Sequence, residues 1–197
     1  MSWIETIEPG AAQGALARVY EQVRSSDGQV DNILMAHSLR PRTLTGHLAL
    51  YKAVLHSRPN DLTPAERELV GVLVSQLNGC DYCVRHHRAG LARHLGNAEE
   101  AERLTGAAFA GGDGLSAREQ ALCGYARKLT RETEAMCKQD LVPLYAAGLD
   151  DAAILDLNQI VAYFAYANRT VQGLGVNIDG ETLGLHPDEN REDFKHD

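Results

Sequence analysis

Apolar residues recur along this chain at intervals of three and four, the spacing that places them on one face of an α-helix. The pattern holds in runs at 16–23, 44–55, 69–77, 122–129 and 154–164. The runs do not alternate between apolar and polar positions, as a half-buried strand does. The sequence therefore predicts an all-α fold, a bundle of helices joined by short loops.

Helix-capping residues mark where several of these helices begin and end. A Ser or Thr three residues before a Glu forms a capping box, and Asn or Gly tolerates the left-handed backbone that ends a helix. Asn78 and Gly79 thus separate one apolar helix from a second, which we expect to run from about Cys80 to Gly96. The predicted capping boxes are Thr63 with Glu66 and Ser116 with Glu119.

Two segments of the chain resemble each other. Residues 62–77 and 115–129 share a leucine, a hydroxyl cap and an Arg-Glu pair, and each precedes a second helix that ends in glycine. Two related helical hairpins would explain this, although two capped amphipathic helices can look alike by chance. We predict one all-helical domain over residues 1–180, with a polar C-terminal tail over 181–197 that frays.

Charge and composition narrow the class of partner. The chain has 19 Lys and Arg against 27 Asp and Glu, a formal charge of −8. Nucleic acids and anionic membranes select basic surfaces, so we expect neither as the partner. The N-terminal sequence lacks the basic and apolar regions of a signal peptide, and no window approaches about 18 consecutive apolar residues. We expect a cytoplasmic protein that binds a small molecule or another protein.

Four cysteines are too few for a secreted disulfide scaffold, and a close pair in a reducing compartment is typically catalytic or metal-binding. Cys80 and Cys83 form such a pair, followed directly by His86 and His87. By contrast, Cys123 lies in an apolar helix and is interpreted as a buried packing residue.

Helical spacing brings His87 close to both sulfurs. Each residue of a helix turns by about 100°, so Cys83 and His87 are neighbours at i, i+4, and Cys80 lies about 20° from His87. His86 points about 100° away and should not share that position. A nearby imidazolium and the N-terminus of a helix both favour a thiolate.

A thiolate beside a second thiol can reduce a peroxide. The first sulfur becomes a sulfenic acid, and the second condenses with it to a disulfide. The departing alkoxide needs a proton, which a histidine can supply as general acid. Glu68, on the preceding helix, could orient that histidine. The alternative interpretation is a solvent-exposed carboxylate that complements the helix dipole.

The spacing of Glu68, Cys80, Cys83 and His87 resembles the E…C-x-x-C-x-x-x-H pattern of the alkylhydroperoxidase D-like, carboxymuconolactone decarboxylase superfamily. Further segments are similar to its peroxidase-related branch, so that the resemblance covers most of residues 30–176. These segments are AHSLRP (36–41), YARKLT (125–130) and AYFAYANR (162–169).

The resemblance implies an all-helical, disulfide-cycling peroxidase that assembles as a homo-oligomer, commonly a trimer or a multiple such as a hexamer. It implies no cofactor or metal, a hydroperoxide substrate and a dithiol or protein reductant such as a dihydrolipoamide. Cys83 would be the peroxidatic thiol, Cys80 the resolving thiol, and Glu68 with His87 the proton relay. The helix terminus favours Cys80 as the thiolate instead. We adopt Cys83, because an i, i+4 histidine is the closer perturber.

The residue between the two cysteines differs from the pattern of that superfamily. Its best-known form has a histidine between the cysteines, where this chain has Tyr82. Tyrosine is a poor base at neutral pH, so the relay is shorter unless His86 compensates. We therefore treat Tyr82 and His86 as auxiliary site residues.

Three alternative functions remain at this point. A zinc site would find only three ligands on one helix, without the second pair that closes a tetrahedron. A thioredoxin-like C-x-x-C should follow a strand, and none is predicted here. A non-enzymatic redox sensor, or another thiol-disulfide protein, would use the same cysteines without turnover. Elsewhere, Asn168 and Tyr163 are interpreted as hydrogen-bonding residues at a helix end, with pocket lining as the alternative, and His47 and Tyr51 as packing residues.

Overall fold

Helices form the regular structure of this protein, and the computed structural model describes residues 2–25 and 28–184. Within these ranges there is no β-strand, so the predicted all-α fold is confirmed. The helices are α1 (Gly14–Val23), α2 (Asn32–Met35), α3 (Pro41–Leu55), α4 (Pro64–Leu77), α5 (Asp81–Leu95), α6 (Ala98–Ala110), α7 (Ala117–Arg131), α8 (Val142–Ala146) and α9 (Asp151–Leu174). In the same ranges, no helix combines the length and the apolar character that a membrane span requires.

Helix α4 forms the centre of the bundle. It packs against α5, α6, α7 and α9, and every residue from 67 to 75 is buried. A helix surrounded in this way must be apolar around most of its circumference, as the valine and leucine run at 69–77 is. Any polar group on α4 is therefore held inside the protein, and it requires a buried partner.

The junction between α4 and α5 sets the position of the cysteine pair. Gly79 has a left-handed backbone (φ 70°), and the N–H of Cys80 donates to the carbonyl of Ser75 at 2.9 Å. This closes the C-terminus of α4 and reverses the chain within two residues. Cys80 is the N-cap of α5, one residue before the helix begins, and Gly96 ends the helix as predicted.

Both predicted capping boxes are present. The hydroxyl of Thr63 accepts from the backbone N–H of Glu66 at 3.2 Å, and the Glu66 carboxylate accepts from the N–H of Thr63 at 2.8 Å. Ser116 and Glu119 repeat the arrangement at the start of α7. These reciprocal bonds satisfy backbone donors that a helix start leaves without partners.

The second of the two similar segments does not build a second long hairpin. After α7 the chain forms short 3₁₀ turns at Thr133–Ala135 and Lys138–Leu141, then the five-residue helix α8. Pro143 has no backbone N–H and suits the first turn of α8, whereas it would break a longer helix. The similarity therefore extends to the capped first helix of each segment and not to its partner.

The chain after α9 packs against the bundle. Only 5% of the Glu181 side chain is exposed, and Gly184 lies against Ala89 of α5. The prediction of a fraying tail is therefore wrong for residues 181–184, because Glu181 finds buried hydrogen-bond donors. The rest of the predicted tail, 185–197, lies outside the described residues.

Close contact between α4 and α9 gives a stability prediction. A Cβ at Gly71 would overlap the ring of Phe164, which is fully buried. Gly71→Ala should lower the free energy of unfolding by about 1–3 kcal/mol, as overpacked cores do, measured by urea denaturation. Gly124 lies in α7 with open space around it, so Gly124→Ala should stabilise the protein by about 0.5–1 kcal/mol. Equal stability of the two variants would contradict the tight α4–α9 contact.

Candidate active site

A buried carboxylate–imidazole pair connects α4 to α5. Glu68 Oε2 lies 2.8 Å from His87 Nδ1, and only 3% and 12% of the two side chains are exposed. The alternative that Glu68 faces solvent is therefore wrong. The Phe164 and His87 rings pack nearly perpendicular to each other, with centroids 4.6 Å apart, and this contact restrains the plane of the imidazole.

Cys83 and His87 line the same cavity. Its volume is about 50 Å³, and it is lined by residues of α3, α5 and α9 and of the chain around α2. Aliphatic and aromatic side chains form most of its wall, and the polar groups come from α3, α5, α9 and the N-cap of α2. The lining residues are Asp31, Ile33, Leu34, His47, Leu48, Tyr51, Tyr82, Cys83, His86, His87, Tyr163 and Ala167.

Cys80 lines a different opening. This crevice has a volume of about 210 Å³ and lies between the start of α5, the end of α9 and the segment 175–178. Neither cysteine forms a disulfide, and both are buried, with 1% of Cys80 and 3% of Cys83 exposed. The two cysteines of the pair therefore border different pockets.

The two thiols share a hydrogen bond that separates their pKa values. The bond from Cys83 lowers the pKa of Cys80, against the effect of burial. The same bond, together with burial, raises the pKa of Cys83 well above its usual range. In the resting pair the negative charge is therefore favoured on Cys80 and the proton on Cys83, as the helix terminus also predicts.

Asn168 of α9 stabilises negative charge on both sulfurs. Its hydrogen bonds lower the pKa of Cys80 and of Cys83, although the bond between the two cysteines and burial have larger effects. Asn168 Nδ2 also donates to Ser75 Oγ at 3.1 Å, and Asn78 Nδ2 donates to Asn168 Oδ1 at 2.9 Å. The sequence interpretation of Asn168 as a hydrogen-bonding residue was therefore incomplete, since its amide also reaches the cysteine pair.

Tyr82 and His86 meet a carboxylate that the sequence analysis assigned to the tail. The Tyr82 hydroxyl donates to Glu181 Oε1 at 2.8 Å, and His86 Nε2 lies 3.3 Å from Glu181 Oε2. The backbone N–H of Asn32 also donates to Glu181 Oε1. Burial raises the pKa of Tyr82 well above its usual range, so the phenol stays protonated.

The position of His86 relative to the cavity was not predicted by the helical wheel. We expected it to point away from His87, yet both rings line the same cavity. The wheel gives directions from the helix axis, whereas the walls formed around α2, α3 and α9 surround a wide sector of α5. Two side chains that diverge by about 100° can therefore border one space.

His47 and Tyr51, interpreted as packing residues, also line the cavity, as does Tyr163, for which pocket lining was the alternative interpretation. Burial lowers the pKa of His47 to about 3, with a contribution from the neighbouring His37, so this imidazole is neutral. His47 and Tyr51 stand at i, i+4 on the otherwise apolar face of α3. Polar atoms on a buried face were the signal that could have identified them.

The remaining cysteines lie away from this site. Cys123 is buried in α7, which raises its pKa to about 12, and Cys137 is exposed. Across residues 2–25 and 28–184, no group of three or more His, Cys, Asp or Glu side chains is arranged to hold a metal ion. The zinc interpretation therefore lacks a ligand set in this part of the chain.

Comparisons with known proteins agree on the fold and family. The sequence profile of the carboxymuconolactone decarboxylase family matches residues 41–128, which include Glu68, Cys80, Cys83 and His87. Comparison with curated proteins gives no match.

Solved structures resemble most of the chain. A peroxidase-related protein from Ralstonia eutropha JMP134, described as an alkylhydroperoxidase AhpD core, has 25% identity and a TM-score of 0.78, covering 89% of this chain and 91% of its own. A peroxidase-related protein from Silicibacter sp. TM1040 has 27% identity and a TM-score of 0.70, covering 76% and 77%. The debrominase Bmp8, solved with 2,3,4-tribromopyrrole, has 16% identity and a TM-score of 0.69, covering 91% and 95%, a likeness of fold alone.

The profile match and the structural similarity over most of the chain agree with the helical bundle that holds Glu68, the cysteine pair and His87. Residues 41–128 belong to the carboxymuconolactone decarboxylase family, and the fold is that of the alkylhydroperoxidase D-like proteins.

Proposed function

We propose that this protein is a thiol-dependent peroxidase that reduces small hydroperoxides through a Cys80–Cys83 disulfide. One observation carries the proposal: Cys83 lines the same cavity as His87, whose ring is hydrogen-bonded to the buried Glu68. A nucleophile, a base and a group that orients the base are the elements of activated nucleophilic catalysis. Similarity to proteins described as peroxidase-related supports the same reaction class.

The proposed reaction needs only the peroxide, the two cysteines, a proton donor and an external dithiol. The Cys83 thiolate attacks the terminal oxygen of ROOH, the O–O bond breaks, and RO⁻ leaves as ROH after taking up a proton. Cys83 is then a sulfenic acid. Cys80 attacks its sulfur, water departs, and the Cys80–Cys83 disulfide forms. An external dithiol reduces the disulfide by thiol–disulfide exchange, restoring both thiols.

Before attack, Cys83 must lose the proton that it holds in the resting pair. His87 borders the Cys83 cavity, and its carboxylate partner Glu68 stabilises the imidazolium that forms. The Cys80 thiolate is an alternative acceptor, since the two sulfurs share a hydrogen bond. We assign the attack to Cys83 because it, and not Cys80, opens onto the cavity that contains both histidines.

The cavity volume limits the substrate in this proposal. About 50 Å³ has room for only a few atoms, since one water-sized sphere occupies roughly 10–15 Å³ on this measure. Hydrogen peroxide or a short alkyl hydroperoxide fits without movement of the walls, whereas a bulky aromatic peroxide does not.

The reductant, in our proposal, approaches Cys80. The crevice at this sulfur is larger than the Cys83 cavity and is lined by Val171, Val176 and Ile178. A dithiol on a narrow apolar arm, such as a dihydrolipoamide, matches that lining. The proposal also includes a reducing cytoplasm and a homo-oligomer, trimer or hexamer.

A redox sensor is the alternative that shares these cysteines. A sensor would oxidise once and would not turn over with a reductant, whereas a peroxidase consumes peroxide repeatedly. Titration of free thiols before and after peroxide addition, followed by an assay with excess dithiol, separates the two functions.

The roles of the cysteines can be tested individually. In a Cys137→Ser background, which removes the exposed thiol, we expect Cys83→Ser to abolish peroxide consumption. Cys80→Ser should allow one turnover and accumulate a sulfenic acid on Cys83, detectable by dimedone labelling and mass spectrometry. Dimedone labelling of Cys80 in the Cys83→Ser protein, with none in the Cys80→Ser protein, would exchange the two roles.

The Glu68–His87 pair should control thiol reactivity. Glu68→Gln or His87→Ala removes the stabilised imidazolium near Cys83, so the pH midpoint for alkylation of the pair should rise by about one unit. Iodoacetamide labelling at a series of pH values, resolved by mass spectrometry, measures this midpoint. Glu102→Gln removes an exposed carboxylate on α6 and serves as the control. An unchanged midpoint in both site variants would remove the relay from the mechanism.

The size of the preferred peroxide should depend on the side chains that line the cavity. Leu48 lines the cavity, so Leu48→Ala should increase the rate with cumene hydroperoxide relative to hydrogen peroxide. The wild-type protein should favour hydrogen peroxide in a dihydrolipoamide-coupled assay. A wild-type preference for cumene hydroperoxide, unaltered by Leu48→Ala, would contradict the proposed size limit.

A further inference from the structure

Two carboxylate-backed imidazoles border the cavity that contains Cys83. His87 is paired with Glu68, and His86 is paired with Glu181, which comes from the segment after α9. We propose that the pairs divide the proton transfers of the peroxidase reaction: His87–Glu68 accepts the Cys83 proton, and His86 donates a proton to the departing alkoxide. Glu181 is the positioning residue for His86. This inference rests on the proposed peroxidase function.

The helix places the two histidines beside each other in parallel rows. Cys83 and His87 are separated by one turn of α5, and so are Tyr82 and His86. The Tyr82 and His86 rings pack with centroids 4.5 Å apart and planes inclined by 33°. The Cys83–His87 row and the Tyr82–His86 row thus both face the reacting sulfur's cavity, and each ends in an imidazole.

The Glu181 side chain is buried, as is that of Glu68. One carboxylate oxygen accepts from the Tyr82 hydroxyl and the backbone N–H of Asn32, and the other faces His86 Nε2 at 3.3 Å. A buried carboxylate with these partners holds one ring nitrogen of His86 in place. The other ring nitrogen, Nδ1, is the atom left to donate to a substrate.

The chemistry requires a donor and an acceptor at the same time. As Cys83 loses its proton and attacks the terminal oxygen, the other oxygen of the peroxide gains negative charge and must be protonated. A single imidazole that has just accepted the thiol proton would have to turn and deliver it to a different atom. With two imidazoles, protonated His86 supplies a proton to RO⁻ while His87 holds the proton from Cys83. Transfer through solvent then restores both.

Tyr82 has a defined function in this arrangement. It occupies the position at which the resembling family has a histidine, and its phenol is held protonated by burial. It therefore acts as a hydrogen-bond donor that fixes Glu181, and the imidazole is supplied one turn later by His86. Glu181 lies outside the region that the family profile matches, residues 41–128.

A leaving-group comparison tests the assignment. Ethyl hydroperoxide releases ethoxide, which needs a proton, whereas peracetic acid has a similar size and releases acetate, which does not. Single-turnover oxidation of the reduced protein is followed by stopped flow for wild type, His86→Asn and Glu181→Gln. His94→Asn, an exposed position on α5, is the matched control.

We expect His86→Asn to slow the reaction with ethyl hydroperoxide by about 100-fold or more, the contribution of a general acid, and to leave the rate with peracetic acid unchanged. Glu181→Gln should show the same selectivity with a smaller loss. The pH profile of Cys83 alkylation should stay at the wild-type position in both variants, in contrast to His87→Ala. Circular dichroism and thermal unfolding confirm that each variant is folded.

Equal losses with both peroxides would overturn the assignment and leave Glu181 as a structural tie between α5 and the C-terminal segment. Unaltered rates with both peroxides would overturn it as well. If the wild-type protein oxidises its cysteines with neither peroxide, the proposed peroxidase function itself fails. That result is distinguishable because it does not depend on any variant.

Discussion

The hydrogen bond between Glu68 and His87 is the constraint on which the candidate site depends. Glu68 projects from α4, whose sides are packed against four other helices, so its charge cannot reach solvent. An isolated carboxylate in this position would be strongly unfavourable, and an imidazole on the adjacent helix satisfies it. The bond therefore fixes the rotation of α5 relative to α4. With that rotation set, Cys83 is directed into the cavity between α3, α5 and α9.

The interior around the cysteine pair is unusually rich in acidic groups. Asp31 lines the Cys83 cavity, Glu68 and Glu181 contact the two histidines that line it, and Asp31 and Glu181 both raise the pKa of Tyr82. The negative charges are balanced by hydrogen bonds from imidazoles, a phenol, amides and backbone N–H groups. Arg and Lys side chains do not line the Cys83 cavity among the described residues. Burial keeps the Tyr82 phenol protonated and His47 neutral, whereas carboxylates contact the rings of His86 and His87.

The N-cap position of Cys80 explains why the pair is asymmetric. The turn at Gly79 places Cys80 at the helix terminus and Cys83 one turn further in, against α9. Desolvation is one of the two largest effects that raise the pKa of Cys83, whereas Cys80 is aided by the hydrogen bond from its neighbour. The cysteine that lines the cavity with both histidines and the cysteine whose pKa is lowered are thus different residues. Under the proposed function, this asymmetry gives each sulfur a different reaction partner.

Local sequence determined the helices, their caps and the order of the functional groups along α4 and α5. The capping boxes at Thr63 and Ser116 and the turn at Gly79 follow from residue type and short-range hydrogen bonding, so they could be predicted. Spacing along one helix also predicted that Cys83 and His87 are neighbours. These features depend on contacts between residues a few positions apart, which a sequence displays directly.

Tertiary structure alone decided which further side chains join the site. Glu181 follows Tyr82 by 99 positions and His47 precedes Tyr163 by 116, and both pairs meet through packing of separate helices. Helical periodicity gives no information about such distances, so it could not show that His86 lines the cavity or that Glu181 is buried. The choice between a frayed tail and a docked carboxylate depends on whether donors are available where the chain passes. That availability exists only once α2, α5 and α9 have assembled.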